Sequence, residues 1–355
     1  LLGALFHPWS GQAQPNPDGA NGSFISLQRR VVELHEDASS AVVRVKAAFN
    51  TNDGESEDQP PRVSLRVGTG FFVSREGHVV TNSSVAGGAN RVWVELNDLP
   101  FAAEVLGSDA ESNFALLRLV NPPKTHGVLP LTPDDPPAIG NFVVAITAPL
   151  DLAPTPSLGL ASGRDRGFAQ RVFPIRFLRV SIPANPGEGG SPVLDLSGRL
   201  VGMMIASIPE LRSSYVLPAR AILRLRDDIL FHGGVRPGWA GMDVLERIES
   251  GIRTIYIERI AEGSPAEIAG LQTGDQLLQM DGNPVQGIED IREASFYARI
   301  GQVLSFRIRR GNDLLDVPLT ISARPLPRAV FEQTERPSPP LPPEPRTRPS
   351  GPASR

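Results

Sequence analysis

Asn185-Pro186-Gly187-Glu188-Gly189-Gly190-Ser191-Pro192 is the stretch on which the reading of this chain turns. Glycines framed by two prolines describe a tight, exposed turn, because glycine accepts φ > 0 and lets backbone approach a neighbour closely. Val193-Leu194-Asp195-Leu196-Ser197-Gly198-Arg199-Leu200-Val201-Gly202-Met203 follows. This is an apolar run interrupted by Leu196-Ser197-Gly198, which predicts two short strands and a turn, so the glycine loop feeds a sheet.

Working outward, the rhythm is that of short strands and turn residues. Strands are expected over 41–49, over 63–74 and 79–80 around Arg75-Glu76-Gly77, and over 91–96 and 101–106 around Asn97-Asp98-Leu99-Pro100. Further ones are expected over 141–147, 158–162, 177–182 and 215–217. A helix capped by Ser23 is predicted over 24–35, 14–22 reads as linker, and 50–62 as an acidic loop. Strands at this spacing point to β-barrels rather than to a βαβ fold.

The glycine loop resembles the active-site loop of the HtrA/Deg family of trypsin-like serine proteases, Asn-Pro-Gly-Asn-Ser-Gly-Gly-Pro, whose serine is the nucleophile. The framing prolines fix the register, and Gly189 falls on the nucleophile. Gly68-Thr69-Gly70-Phe71-Phe72 through Thr81-Asn82 is similar to the family's strand before its general base. In the family x-His-Val follows; here Ser83-Ser84-Val85 puts Ser84 at the histidine's position. Gly107-Ser108-Asp109-Ala110-Glu111-Ser112-Asn113-Phe114-Ala115-Leu116-Leu117-Arg118 resembles the segment with the orienting aspartate, and Asn113 takes its place.

A hydroxyl cannot serve as a proton acceptor near neutral pH, an amide carries no charge to stabilise an imidazolium, and glycine has no side chain to attack with. The resemblance implies two six-stranded barrels with the degenerate positions Ser84, Asn113 and Gly189 in the cleft between them. Gly187, Glu188 and Gly189 would be the remnant of the oxyanion loop, with Glu188 read as an exposed loop charge. Ser191 points elsewhere in a turn pinned by Pro192, and His78 reads as a surface or packing residue.

Beyond Gly233-Gly234-Val235-Arg236-Pro237 a second module is expected. Gly238-Trp239-Ala240-Gly241-Met242 looks like the carboxylate-binding loop of bacterial PDZ domains, with Trp239 either lining the pocket or anchoring the loop. Gly263-Ser264-Pro265-Ala266-Glu267-Ile268-Ala269-Gly270-Leu271 through Gly274-Asp275 resembles their Ser-Pro-Ala-x-x-Ala-Gly-Leu-x-x-Gly-Asp stretch. Asp281-Gly282 predicts a hairpin turn, 288–299 a helix, and 303–309 with 316–321 the last strands.

The chain has 355 residues, no cysteine and a formal net charge of −4. Disulfides and thiol chemistry are excluded, and no basic stripe points to nucleic acid. Five scattered histidines show no metal-ligand spacing, so neither metal nor cofactor is expected. Leu1 to Phe6 read as the end of a signal-peptide core with cleavage after Ala13, or as a mildly apolar terminus. No other run is long enough to span a bilayer.

The expected organisation is mainly β. A leader and linker (1–22) precede a trypsin-like double β-barrel (23–232), an α+β PDZ domain (233–323) and a Pro-rich disordered tail (324–355) that holds Pro340-Leu341-Pro342-Pro343. The reading is an exported, periplasmic or extracellular, pseudo-protease that binds peptides or protein C-termini without cleaving them. Alternatives are an active HtrA-like endopeptidase in protein quality control, or a non-enzymatic adaptor. The family resemblance makes a homotrimer possible.

Overall fold

The computed structural model describes residues 17–51, 62–150, 152–168, 171–249 and 251–325; the expected leader core, most of the acidic loop and nearly all of the tail lie outside them. The first module is two closed barrels. β1 (Val42–Thr51), β2 (Arg62–Phe72), β3 (His78–Thr81), β4 (Arg91–Leu96), β5 (Leu99–Asp109) and β6 (Phe114–Leu119) close in the order β1-β2-β3-β6-β5-β4. A one-turn helix, α2 (Ser83–Ala86), follows β3. β7 (Phe142–Thr147), β8 (Thr155–Phe168), β9 (Arg171–Val180), β10 (Pro192–Asp195), β11 (Leu200–Ile208) and β12 (Ser213–Pro218) close the second in the order β10-β11-β12-β9-β8-β7.

Alternation along the strands builds separate cores. Phe72, Val45, Val94 and Leu117 fill the first barrel, and Val143, Leu178, Val193 and Val216 the second. Phe71, the neighbour of Phe72, points the other way, as successive strand residues must, into a third cluster. There it joins Leu116, Ile146, Met203 and Leu217, so strands from both barrels share one buried layer. Helix α3 (Ala219–His232) seals this layer with Ile222, Leu225 and Ile229, and ends at Gly233, whose φ of 72° allows its N–H to reach the Ile229 carbonyl.

The amino-terminal helix α1 spans Pro17–Ser39, longer at both ends than the sequence predicts. Gly19, Asn21 and Gly22 are weak helix formers, yet the helix runs through them; at its far end Leu34 and Ala38 are buried in the shared layer, which carries it on to Ser39. Residues 17–22 of the expected linker therefore form its first turns.

The second module is a twisted sheet with two helices. β14 (Met242–Glu249), β15 (Ile252–Ile260), β16 (Gln276–Met280), β18 (Val303–Arg310) and β19 (Asp313–Thr320) lie in that order, with β17 (Asn283–Pro284) beside β16. β13 (Gly238–Trp239) pairs with β20 (Ser322–Ala323), so the start and end of the module close on each other. Helix α4 (Pro265–Ile268) is capped by the Ser264 hydroxyl, and α5 (Ile288–Tyr297) lies over the sheet. Ile255, Ile257, Phe306 and Leu319 centre its core.

Candidate functional site

The glycine loop is stitched to the first barrel by one residue. The Thr69 N–H donates to the Gly189 carbonyl at 2.9 Å, and its hydroxyl donates to the Gly187 carbonyl at 2.9 Å. The same hydroxyl accepts the Ala148 N–H at 3.2 Å. Fully buried, Thr69 thus ties β2 of one barrel to two segments of the other. Gly187 and Gly190 sit at φ of 87° and 95°, and a Cβ on Gly190 would stand 2.0 Å from the Thr69 carbonyl. Glycine is required there by both conformation and space.

Glu188 corrects the expectation of an exposed charge. Its side chain is turned inward and buried. Oε2 accepts the Asn185 N–H at 2.7 Å and the Asn185 side-chain amide at 3.1 Å, while Oε1 accepts the Thr147 hydroxyl at 3.2 Å. Burial is tolerated because these donors replace water around the carboxylate. Ser191 is buried too, its hydroxyl donating to the Glu188 carbonyl at 2.6 Å.

Of the three positions singled out in the sequence, Ser84 and Asn113 are in direct contact, while Gly189 lies against Asn82. Asn113, in the left-handed region at φ 53°, accepts the Ser84 N–H on Oδ1 at 2.8 Å and donates from Nδ2 to the Ile205 carbonyl at 2.8 Å. Its amide therefore bridges α2 and β11. The Ser84 side chain is exposed, and its carbonyl accepts Arg66 at 3.0 Å. A side chain on Gly189 would begin 2.8 Å from Nδ2 of the buried Asn82.

Three of the histidines, His35, His78 and His126, are engaged elsewhere. His78 pairs with the Ser74 hydroxyl at 2.8 Å, and burial holds its imidazole below the usual histidine range. His126 lies against Phe72, and His35 reaches the Pro154 carbonyl. Among the described residues no group of acidic or histidine side chains is placed to hold a metal.

In the second module the loop 238–242 adopts a tight form. Gly241 has φ of 81°, its carbonyl accepts the Ala261 N–H, and the Ala240 carbonyl accepts the Ala266 N–H. A Cβ on Gly241 would fall 2.2 Å from Ser264 Cβ and 3.1 Å from the Trp239 ring, so the half-buried Trp239 packs onto the loop itself. Met242 opens β14, which pairs with β15 on one side only and ends the sheet order. Its other side faces the gap toward α5, whose C-terminal Ala298 approaches Gly238.

Helix α5 is also held to the second barrel, a contact sequence reasoning missed. Arg166 on β8 donates to Asp290 at 2.6 Å, and Arg176 on β9 binds both Asp290 and Glu293, the latter at 2.6 Å. Arg220 reaches Glu293 at 3.0 Å and stacks on Tyr297 with its guanidinium 4.4 Å from the ring centre. These arginines and acids lie 73 to 124 residues apart along the chain, and no local pattern pairs them.

Comparison with known proteins adds family-level findings. A family model described as a trypsin-like peptidase domain matches residues 68–203, and one described as a PDZ domain matches 256–310. The chain is 28% identical over 281 residues to a protein of Hahella chejuensis named as a probable periplasmic serine endoprotease DegP-like, covering 75% of this chain and 59% of the relative. A Chlamydia trachomatis protein of the same name is 26% identical over 291 residues, covering 78% and 58%. The chain thus spans less than two thirds of these relatives' length.

Among solved structures, the HtrA-type protease AlgW with decapeptide superposes with a TM-score of 0.64 at 21% identity, over 84% of this chain and 99% of that one. The serine endoprotease from Yersinia pestis gives 0.58 at 22%, over 83% and 98%. At these identities the likeness is one of fold.

Proposed function

The chain belongs to the HtrA/Deg family, and from that premise we propose that it is an exported, non-cleaving member that binds protein C-termini through its PDZ domain. One observation carries the proposal: the positions that the family resemblance assigns to nucleophile, base and orienter hold Gly189, Ser84 and Asn113. Their surroundings are built for structure. Asn113 spends its amide on two backbone groups, Thr69 and Glu188 fasten the glycine loop, and His35, His78 and His126 have other partners. With base and nucleophile both missing, the remaining dipoles have no covalent step to assist.

Binding falls to the PDZ domain. The open edge of β14 offers backbone groups to an extended peptide as an added strand, and the loop 238–241 is suited to the terminal carboxylate. A solved relative of this fold is described with a decapeptide. Curated relatives are named as periplasmic, which supports export to that compartment here. Association of copies through the exposed Phe24 and Ile25 of α1 belongs to the same proposal, and light scattering reads it; a monomer at all concentrations counts against it.

The deciding experiment treats purified protein with a serine-reactive phosphonate probe and with casein. Neither an adduct on intact mass nor cleavage is expected. Labelling that maps to a residue of this chain would establish the competing reading, an active endopeptidase. Gly189→Ser alone is expected to remain without turnover, because a lone hydroxyl is a poor nucleophile at neutral pH.

A further inference from the structure

We propose that the PDZ groove has a cation subsite at its upstream end, and that its ligands are protein C-termini with an apolar last residue and a lysine or arginine at the fifth residue from the end. The inference rests on the PDZ-ligand reading above and adds the charge of the segment that is read.

The register fixes which ligand residue arrives there. On β14, Val244 and Glu246 pair with Ile257 and Ile255 of β15. Both isoleucines are buried, so Val244 and Glu246 share the face turned toward the core and α5. A strand added antiparallel to β14, with its carboxylate at the 238–241 loop, sets its last residue by Met242, its third from the end by Val244 and its fifth by Glu246. Alternation then points the fifth side chain into the same gap.

That gap is acidic. A Cβ on Gly287, the residue before α5, would stand 2.5 Å from Glu289 Oε2 and 3.7 Å from Glu246 Oε2, so the two carboxylates converge from helix and strand. Glu289 Oε2 is buried without a hydrogen-bond partner. Among the described residues Glu246 has a long pairing, Oε1 to Arg253 at 3.5 Å.

A cation already sits there. Arg166 of the second barrel places one guanidinium nitrogen 3.6 Å from Glu289 Oε2, and the built Gly287 Cβ would lie 3.5 Å from it. Its other nitrogen is held by Asp290. The barrel's own arginine thus stands at the mouth of the groove in the manner the ligand's side chain would, without giving Glu289 a full hydrogen bond. A ligand cation arriving along β14 supplies that bond and takes over part of the position of Arg166.

The test uses the full chain and fluorescein-labelled ten-residue peptides ending in a free apolar residue, followed by polarisation at low salt. Lysine at the fifth residue from the end is expected to bind roughly fivefold tighter than glutamate there, as one partly exposed ion pair allows. Moving the lysine to the fourth residue, on the opposite face, should remove most of the gain. Glu246→Gln with Glu289→Gln should shrink the lysine–glutamate difference below about twofold, and Arg166→Ala should strengthen the lysine peptide alone. Equal binding of the lysine and glutamate peptides, or a preference that survives the double substitution, overturns the cation subsite while leaving the PDZ reading intact. No binding of any free C-terminus overturns both.

Discussion

At the scale of single residues, the glycine loop is fastened to the first barrel through Thr69. Thr69→Val keeps the shape but leaves the Gly187 carbonyl and the Ala148 N–H without their partner, so a loss of roughly 1–3 kcal/mol is expected. Denaturant unfolding checks it, through a lower midpoint at unchanged slope; Thr69→Ser should recover most of the difference. Glu188→Ala strands the Asn185 N–H and leaves the Thr147 hydroxyl only its long contact to the Thr155 carbonyl, and should cost about 2–3 kcal/mol by the same measurement. The tight turn around Gly187 and Gly190 was legible in sequence because glycines framed by prolines call for positive φ. The inward turn of Glu188 was not, since Thr147, which accounts for one of its oxygens, lies 41 residues away.

At the scale of elements, most strands fall where alternation and turn residues place them. Asn97 and Asp98, both at positive φ, turn β4 into β5, and Asp281 with Gly282 turns β16 into β17. The start of α1 was hidden because its first turns are made of poor helix formers, and burial acts only on its later ones. Hidden as well was the docking of α5 on β8 and β9, which depends on charges far apart in sequence. Partly buried, hydrogen-bonded carboxylates of this kind matter more than surface pairs. Asp290→Asn removes the charge that Arg166 and Arg176 share. Amide hydrogen exchange should then quicken in α5 and along the facing part of β9, while β1 to β6 keep their protection.

At the scale of the whole molecule, buried phenols govern the alkaline limit. Burial pushes Tyr215 and Tyr297 up to about 12, with Asp165 adding to the first, whereas Arg220 works against the shift of the second. Between pH 10 and 12 the unfolded chain gives up these protons and the folded one retains them, so stability is present below 10 and is lost as pH rises through 12. Arg224 runs the other way: burial within α3 lowers it to about 10, and the unfolded chain holds that proton longer. Two phenols against one guanidinium leave a net loss, about 1.4 kcal/mol per pH unit. Absorbance titration should show that two of the three tyrosines resist ionisation in the native protein until unfolding releases them together.

The open edge of β14 carries a further consequence, for solubility. An unpaired strand invites its own kind as readily as a ligand, and Leu245, Ile248 and Ile252 stand exposed along this hairpin. Its acids decide which guest is refused. Two copies laid antiparallel and centred on Glu246 set that residue against itself. Like charges facing across a ladder are destabilising. In that register the carboxylate that welcomes a cationic tail also weighs against a second copy of the chain at the same edge.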